Sequence, residues 1–173
     1  ETVGAVTLAG GTISGTTGVL TAASYDLQAG TASAILAGAA TATKSTAGSV
    51  TLSGANTYSG NTVVNAGTLT AGNAAAFGTG TVTVNTGGTV NLGSQTVANA
   101  VTVAGGTLSG GTIALSQVTA DSGTISANLS GVGTALALPL LDAMIPAAAA
   151  ASRTPARPTR RLGYVFMPMG CVH

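Results

Sequence analysis

The amino-acid sequence predicts an all-β fold, a solenoid of about six to seven coils of the parallel β-helix type. Three observations predict this fold: a glycine-centred motif that returns about every nineteen residues, strict alternation of apolar and polar residues between the motifs, and a scarcity of charge. At 173 residues, the chain is long enough to bury a core of its own.

The repeated motif is a glycine, then threonine or serine, then usually an aliphatic residue. It occurs at Gly11-Thr12-Ile13, Gly30-Thr31-Ala32, Gly48-Ser49-Val50, Gly67-Thr68-Leu69, Gly88-Thr89-Val90, Gly106-Thr107-Leu108 and Gly123-Thr124-Ile125. The steps between these glycines are 19, 18, 19, 21, 18 and 17 residues. Off-phase copies such as Gly111-Thr112-Ile113 also occur, so the motif alone does not define a unique frame for the repeat. Seven near-regular copies are nevertheless hard to explain by composition alone.

Between the motifs, apolar residues alternate with polar ones at a period of two. The apolar pairs are Val50/Leu52, Val82/Val84, Val90/Leu92, Val101/Val103 and Ile113/Leu115. This pattern is typical of strands with one buried face. Helical spacing is not sustained before Gly131, and glycine and β-branched residues are both poor helix formers.

A single coil of this composition is not stable alone. Ordering its backbone costs roughly 1–2 kcal/mol per residue, whereas burying an aliphatic side chain returns only about 1.5–3 kcal/mol. Stacked coils supply each other with ladder hydrogen bonds and a shared interior, and glycine and asparagine suit the corners. Two alternatives are an antiparallel sandwich and a disordered low-complexity stalk. Asn-Gly or Asp-Gly hairpin turns would support the sandwich, but the sequence contains neither dipeptide.

Charge divides the chain near Gly131. Charged residues make up 5% of the sequence, and the stretch up to Gly131 carries a net −2, whereas the remainder carries +3. We therefore predict two regions, a repeat domain over residues 1–131 and a tail over residues 132–173 without an independent fold.

The sequence also excludes two other features. Cys171 is the only cysteine, so no intrachain disulfide can form. No apolar run reaches the length of about 20 residues that a membrane-spanning helix needs.

A family resemblance lies in Lys44–Thr70, "KSTAGSVTLSGANTYSGNTVVNAGTLT". This stretch closely resembles the passenger-associated strand repeat of bacterial autotransporters. The residues that carry the resemblance are Leu52-Ser53-Gly54, Asn56-Thr57-Tyr58-Ser59-Gly60, Thr62, Val64 and Gly67-Thr68-Leu69. Gly78–Ser94 resembles the usual continuation, whereas Thr2–Thr43 and Gln95–Gly131 are similar in style only, and Ser45–Gly48 departs from the family's alternating glycines.

The resemblance implies a right-handed parallel β-helix that belongs to a secreted passenger at the bacterial cell surface. It implies membrane attachment only through a separate C-terminal outer-membrane barrel, which this sequence lacks, and a role in secretion and folding of a stalk rather than in catalysis. Because the chain starts at Glu1 without a methionine or leader, we interpret it as a fragment of a longer protein.

The tail has a different character. Val132–Ile145 is an apolar run interrupted by Pro139 and Asp142, followed by an alanine-rich stretch. It resembles the leader end and mature start of a twin-arginine-exported bacterial family of unknown function, although Ser126–Gly131 stands where the arginine pair belongs. We interpret it as the junction of two unrelated reading frames and assign it no function. Its structural expectation is a short helix over Thr134–Ala151 with an extended, solvated segment behind it.

No catalytic, cofactor-binding or metal-binding residue is predicted. Asp26 and Asp121 are too far apart in the repeat to act as a pair, and the four acidic residues are too few for calcium-binding repeats. Cys171 and His173 lie at the chain end, where a frayed terminus is the better interpretation. The remaining candidates have simpler interpretations, namely a solvated linker for Arg153, Arg157, Arg160 and Arg161, and corner packing for Tyr58.

Threonine pairs raise one further possibility. Thr68/Thr70 and Thr81/Thr83 could belong to a regular hydroxyl array of the kind that some ice-binding proteins use. The sequence disfavours this role because the pairs do not repeat coil after coil.

The sequence therefore predicts a non-enzymatic structural stalk of a secreted autotransporter-type passenger, without cofactor and without a nucleic-acid partner. Its partners are expected to be a host or neighbouring-cell surface, or a second copy of the chain, because an uncharged surface favours association. The alternative is a fragment of a β-helix polysaccharide-processing enzyme whose active residues lie outside this chain.

Overall fold

The computed structural model describes residues 2–114 and 118–130. Within them the chain forms sixteen short β-strands and no helix. The strands are β1 (Thr2–Leu8), β2 (Thr12–Ile13), β3 (Val19–Leu27), β4 (Gly30–Ala32), β5 (Ile35–Ala37), β6 (Thr41–Lys44), β7 (Ser49–Leu52), β8 (Thr62–Val64), β9 (Gly67–Ala71), β10 (Val82–Asn85), β11 (Gly88–Asn91), β12 (Thr96–Val97), β13 (Val101–Ser109), β14 (Thr112–Ala114), β15 (Val118–Ile125) and β16 (Asn128–Ser130).

The strands stack as a parallel β-solenoid of seven coils, which confirms the predicted fold class. Every strand pairing in the described residues is parallel, and each joins a strand to its counterpart one coil away. Parallel pairing is possible because each chain segment between partners is a whole coil, long enough to return to the same face.

Each coil contributes to three faces. The first face is formed by β1, β3, β6, β8, β10 and the beginnings of β13 and β15. The second face is formed by β2, β4, β7, β9, β11 and the ends of β13 and β15. The third face contains β5, which pairs with the start of β3, and the separate sheet β12-β14-β16. Coils are numbered here from β1 and β2 (coil 1) to β15 and β16 (coil 7).

The register confirms the repeat, with one slip. Gly67 pairs with Gly88, and Thr12 with Thr31, so the repeated motifs lie directly above one another. Between coils 2 and 3, however, Gly30 pairs with Val50 rather than with Gly48. Because the slip is two residues and side chains alternate with the same period, it leaves inward residues facing inward.

The core is a continuous column of aliphatic side chains inside the coils. The apolar alternation predicts its members correctly, because Val50, Leu52, Val82, Val84 and Val103 are all at most 1% exposed. The interior also holds three aromatic side chains and four polar ones that the apolar pattern does not predict. These are Tyr25, Tyr58, Phe77, Lys44, Asn56, Thr62 and Asn99.

Gly67 shows why the motif needs glycine at a corner. Its φ is +67°, a conformation that other residues rarely adopt, and a Cβ there would collide with the carbonyl oxygen of Gly48 one coil below. The close stacking of neighbouring corners therefore depends on the missing side chain.

The predicted tail and its helix over residues 134–151 lie outside the described residues, as does Leu115. The division of the chain at Gly131 stays a prediction.

Candidate functional site

The residues that the sequence analysis considered for catalysis do not come together. Asp26 lies in β3 on coil 2, and Asp121 lies in β15 on coil 7. Cys171, His173 and the four tail arginines fall outside the described residues. Across residues 2–114 and 118–130, no three histidine, cysteine, aspartate or glutamate side chains lie close enough to hold a metal ion.

Asn56 lies in the interior on the third face of coil 3 and connects the coils on either side. Its Oδ1 accepts a hydrogen bond of 2.9 Å from the backbone N–H of Leu36 on coil 2. Its Nδ2 donates one of 2.6 Å to the carbonyl oxygen of Ala76 on coil 4. The third face has no strand in coils 3 and 4, so this side chain satisfies backbone groups that a β-ladder would otherwise satisfy.

Tyr58 is fully buried beside Asn56, which agrees with the packing interpretation and leaves no ring surface for a ligand. Its hydroxyl lies 2.7 Å from Thr62 Oγ1, and that threonine donates in turn to the carbonyl oxygen of Phe77 at 3.3 Å. Burial raises the pKa of Tyr58 far above its usual range, so the side chain is neutral at any physiological pH.

Tyr25 extends this buried group by one coil. Its ring centroid lies 5.9 Å from that of Tyr58, with the planes inclined at 50°. Its hydroxyl accepts a hydrogen bond of 3.0 Å from the N–H of Ala37 and donates to the carbonyl oxygen of Leu20. Burial raises the pKa of Tyr25 as well. Asn56, Tyr58, Thr62 and Tyr25 are called the polar spine below.

Asn99 makes a related contact from coil 5, two coils beyond Asn56, although its hydrogen bonds reach coil 4 alone. Its Nδ2 donates to the carbonyl oxygens of Gly80 at 2.8 Å and Gly78 at 3.1 Å. A shallow pocket of about 280 Å³ opens beside it, lined by Ala74, Ala75, Gly78, Thr79, Ala98 and Asn99. The pocket offers no ionisable side chain and no aromatic ring, so it has little chemistry with which to select a ligand.

Lys44 is the one cationic side chain of the described residues that could be considered for a function, yet its contacts are structural. Its side chain is fully buried, and its Nζ donates to the backbone oxygen of Thr46 and, at 3.2 Å, to Thr46 Oγ1. Burial lowers the pKa of the Lys44 amine, and the charge of Asp26 acts in the opposite direction. An amine enclosed in this way cannot reach a substrate.

The outer surface of the second face carries two columns of hydroxyl side chains. The first column is Ser49, Thr68, Thr89, Thr107 and Thr124, and each residue pairs directly with the next. The second column is Thr12, Thr31, Thr51, Thr70, Asn91 and Ser109, again in direct register. Threonine pairs themselves do not repeat from coil to coil, as expected, since Thr68 and Thr70 form the one such pair across the two columns. The columns are continuous because serine and asparagine occupy the other positions, and because the two-residue slip places Thr31 beside Thr51.

The sequence analysis missed the polar spine, Lys44 and the columns. Lys44 could have been noticed as the single cation in an almost uncharged region, and Asn56 as part of the specific Asn56–Gly60 motif. The partners of Asn56 lie one coil away on each side, and the motif alone does not identify them.

Comparison with known proteins identifies one family. The model of the passenger-associated-transport-repeat matches residues 43–71. The match begins in β6 and ends with β9, and thus includes Lys44, Asn56, Tyr58 and Thr62. No curated protein and no solved structure matches significantly, and the resemblance of the tail to an exported family gains no support.

The repeat match and the parallel solenoid together fit a passenger repeat of an autotransporter, which implies a secreted or surface-displayed protein. A search of the described residues finds no helix with the length and apolar character needed to cross a membrane.

Proposed function

We propose that this solenoid is a structural stalk in a secreted, surface-displayed passenger, where it supports folding during secretion and holds other parts of the protein away from the cell. The observation that carries the proposal is the coincidence of the repeat match, residues 43–71, with the coils that hold most of the polar spine. The most specific part of the motif has a structural use, which is to tie three coils together.

The geometry suits a stalk that forms coil by coil. Each coil contacts only its neighbours, so a solenoid of this kind can begin folding locally and extend in one direction. Asn56 bonds to coils 2 and 4 at once, and this makes coils 3 and 4 a suitable place for folding to begin. Folding of emerging coils outside the cell would oppose their return.

A non-enzymatic role is part of the proposal. Asp26 and Asp121 lie five coils apart, Lys44 is enclosed, and the pocket beside Asn99 has no ionisable lining. These placements are compatible with a stalk, whereas the polysaccharide-processing alternative places its active residues outside this chain. Adhesion to another cell and self-association stay predictions.

Surface display tests the proposal. The full chain is fused between a signal peptide and an autotransporter translocator in a Gram-negative host, and protease accessibility on intact cells measures display. We expect efficient display of the native chain, several-fold lower display of Asn56→Ala, and native display of Asn128→Ala, whose side chain is exposed.

Two results would contradict the stalk function. One is native display of a chain in which residues 43–71 are scrambled, since the proposal makes this segment responsible for folding. The other is hydrolysis or cleavage of a polysaccharide by the purified native chain.

A further inference from the structure

The second face has a property that a stalk does not require. Its two columns place ten hydroxyl-bearing residues and one asparagine on the outer side of a parallel sheet, without a charged residue among them. The residues between the columns, such as Leu69 and Val90, are fully buried, so the column side chains point outward. We propose that this face binds ice, through an array of outward hydroxyl side chains, most of them threonine, matched to a crystalline water surface.

The spacing of the array is set by the sheet. Neighbouring strands lie about 4.7–4.9 Å apart, and alternate residues along a parallel strand lie about 6.6 Å apart. In coils 3 to 6, where both columns are present, they form a two-column grid of outward polar side chains, most of which are threonines. Ice presents water oxygens on a repeat of the same scale, and each of them can donate and accept hydrogen bonds.

The hydroxyls are available to such a surface. In the part of the chain that the structure describes, the threonine hydroxyls of the columns form no hydrogen bond to another residue. Ser109, by contrast, donates to the carbonyl oxygen of Val90 at 3.4 Å, and Asn91 accepts from Gly93 N–H at 2.8 Å. Each free hydroxyl offers one donor and two acceptor sites to water.

The array is also held rigidly before any ligand arrives. Threonine is β-branched and has few χ1 conformers, and the strands below it are fixed by ladder bonds and a buried core. A lattice that is already ordered loses little conformational entropy on binding an ordered surface.

The first face is the natural comparison because it lies on the same coils. Its central outward column reads Thr7, Asp26, Thr43, Val63, Thr83, Thr102 and Thr119. A carboxylate and a valine interrupt this series, whereas no charge and no aliphatic residue interrupts the columns of the second face. The regular hydroxyl lattice is thus a property of the second face rather than of the threonine-rich composition.

Other occupants fit the second face less well. Carbohydrate and membrane-interface sites use exposed aromatic rings, but Tyr25, Tyr58 and Phe77, which are the aromatic residues of the described segments, are at most 1% exposed. A second copy of the chain would desolvate many hydroxyls without a fixed partner for each, which is costly. An ice surface can supply a partner to every hydroxyl.

Partition into ice tests the proposal with the full 173-residue chain. A fluorescently labelled protein solution is frozen slowly on a seeded ice surface, and the protein in the ice is compared with that in the remaining liquid. We expect enrichment of the native chain in ice, loss of that enrichment in Thr89→Lys, and retention in Thr83→Lys. Thr89 and Thr83 are both half-buried strand residues of coil 5, on the second and first face respectively.

Circular dichroism and thermal melting confirm that both variants fold, and Thr107→Lys replaces Thr89→Lys if the latter does not. Exclusion of the native chain from ice, or equal loss in the Thr83 and Thr89 variants, would overturn the proposal. Sedimentation measures the oligomeric state of the native chain and of Thr89→Lys. If the native chain is a dimer that Thr89→Lys dissociates, and if it is excluded from ice, the face is a self-association surface instead. Neither result bears on the stalk function, which rests on residues 43–71.

Discussion

Coils 3 and 4 in the middle of the solenoid differ sharply from coil 7, the last coil that the structure describes. In β9 the side chains alternate between buried and half-buried, and Leu69 is fully buried. In β16 all three residues are exposed, and Leu129 is 36% exposed. A strand of the last described coil is therefore far less buried than a strand in the middle of the solenoid.

The difference shows what holds a coil in place. Coil 4 has ladder partners on both sides, since β9 pairs with β7 and with β11. Within the described residues, β16 pairs only with β14. Coil 3 has in addition the side chain of Asn56 bonded to the coils above and below. Stability is thus a property of neighbouring coils and not of the individual repeat.

Removing the Asn56 side chain should have the largest effect. Asn56→Ala leaves the N–H of Leu36 and the carbonyl of Ala76 without partners in the interior, at about 1–3 kcal/mol for each group. We expect a loss of about 2–6 kcal/mol in the free energy of unfolding, measured by urea denaturation.

Asn128→Ala is the matched control in coil 7. Its side chain is exposed, and we expect a change within about 0.5 kcal/mol. Equal effects of the two substitutions would show that the interior bonds of Asn56 contribute nothing beyond those of a surface asparagine.

Two leucines give the same comparison for apolar burial. Leu69→Ala creates a cavity between Val50 and Val90 and should cost about 2–5 kcal/mol. Leu129→Ala removes a side chain that is already partly in water, so its cost should be well below that of Leu69→Ala. Thermal unfolding followed by circular dichroism measures the loss of unfolding free energy for both variants. A loss in Leu129→Ala as large as that in Leu69→Ala would mean that the Leu129 side chain is buried in solution.

The two regions also show what sequence patterns can predict. Val50 and Leu52 could be assigned to the core because alternation is a local property, and the same holds for the repeat that placed Gly67 at a corner. Asn56 looks like any polar turn residue in sequence, since its role depends on the positions of Leu36 and Ala76, each twenty residues away. The first hydroxyl column follows directly from the threonine or serine of the repeated motif, whereas the junction of Thr31 with Thr51 in the second column depends on the register slip.

Alkaline pH should weaken the polar spine. Because burial raises the pKa of Tyr58, the folded state keeps its proton above about pH 10, where an unfolded tyrosine ionises. The stabilising contribution is complete below pH 10 and is lost as pH rises, by up to about 1.4 kcal/mol per pH unit.

Urea denaturation at several pH values measures this slope, and Tyr58→Phe should reduce it. The lowered pKa of Lys44 has the opposite effect, since stability from that group rises with pH, so the comparison between native chain and variant is the informative one. An unchanged slope in Tyr58→Phe would assign the alkaline loss to other groups.

The bond between Tyr58 and Thr62 should give the smallest of these effects and can be isolated by a double-mutant cycle. Tyr58→Phe removes one hydroxyl, Thr62→Val removes the other, and the double variant removes both without leaving either one unpaired. We expect a coupling energy of about 0.5–1.5 kcal/mol, because a buried neutral hydrogen bond contributes about that much.

Thr124→Val is the matched control, because Thr124 is an exposed threonine of coil 7. It should change the free energy of unfolding by about 0.5 kcal/mol or less and should show no coupling to Tyr58→Phe. Coupling near zero within the spine would mean that the polar groups of coils 3 and 4 are merely accommodated, and that the difference from coil 7 arises from apolar packing and the second ladder alone.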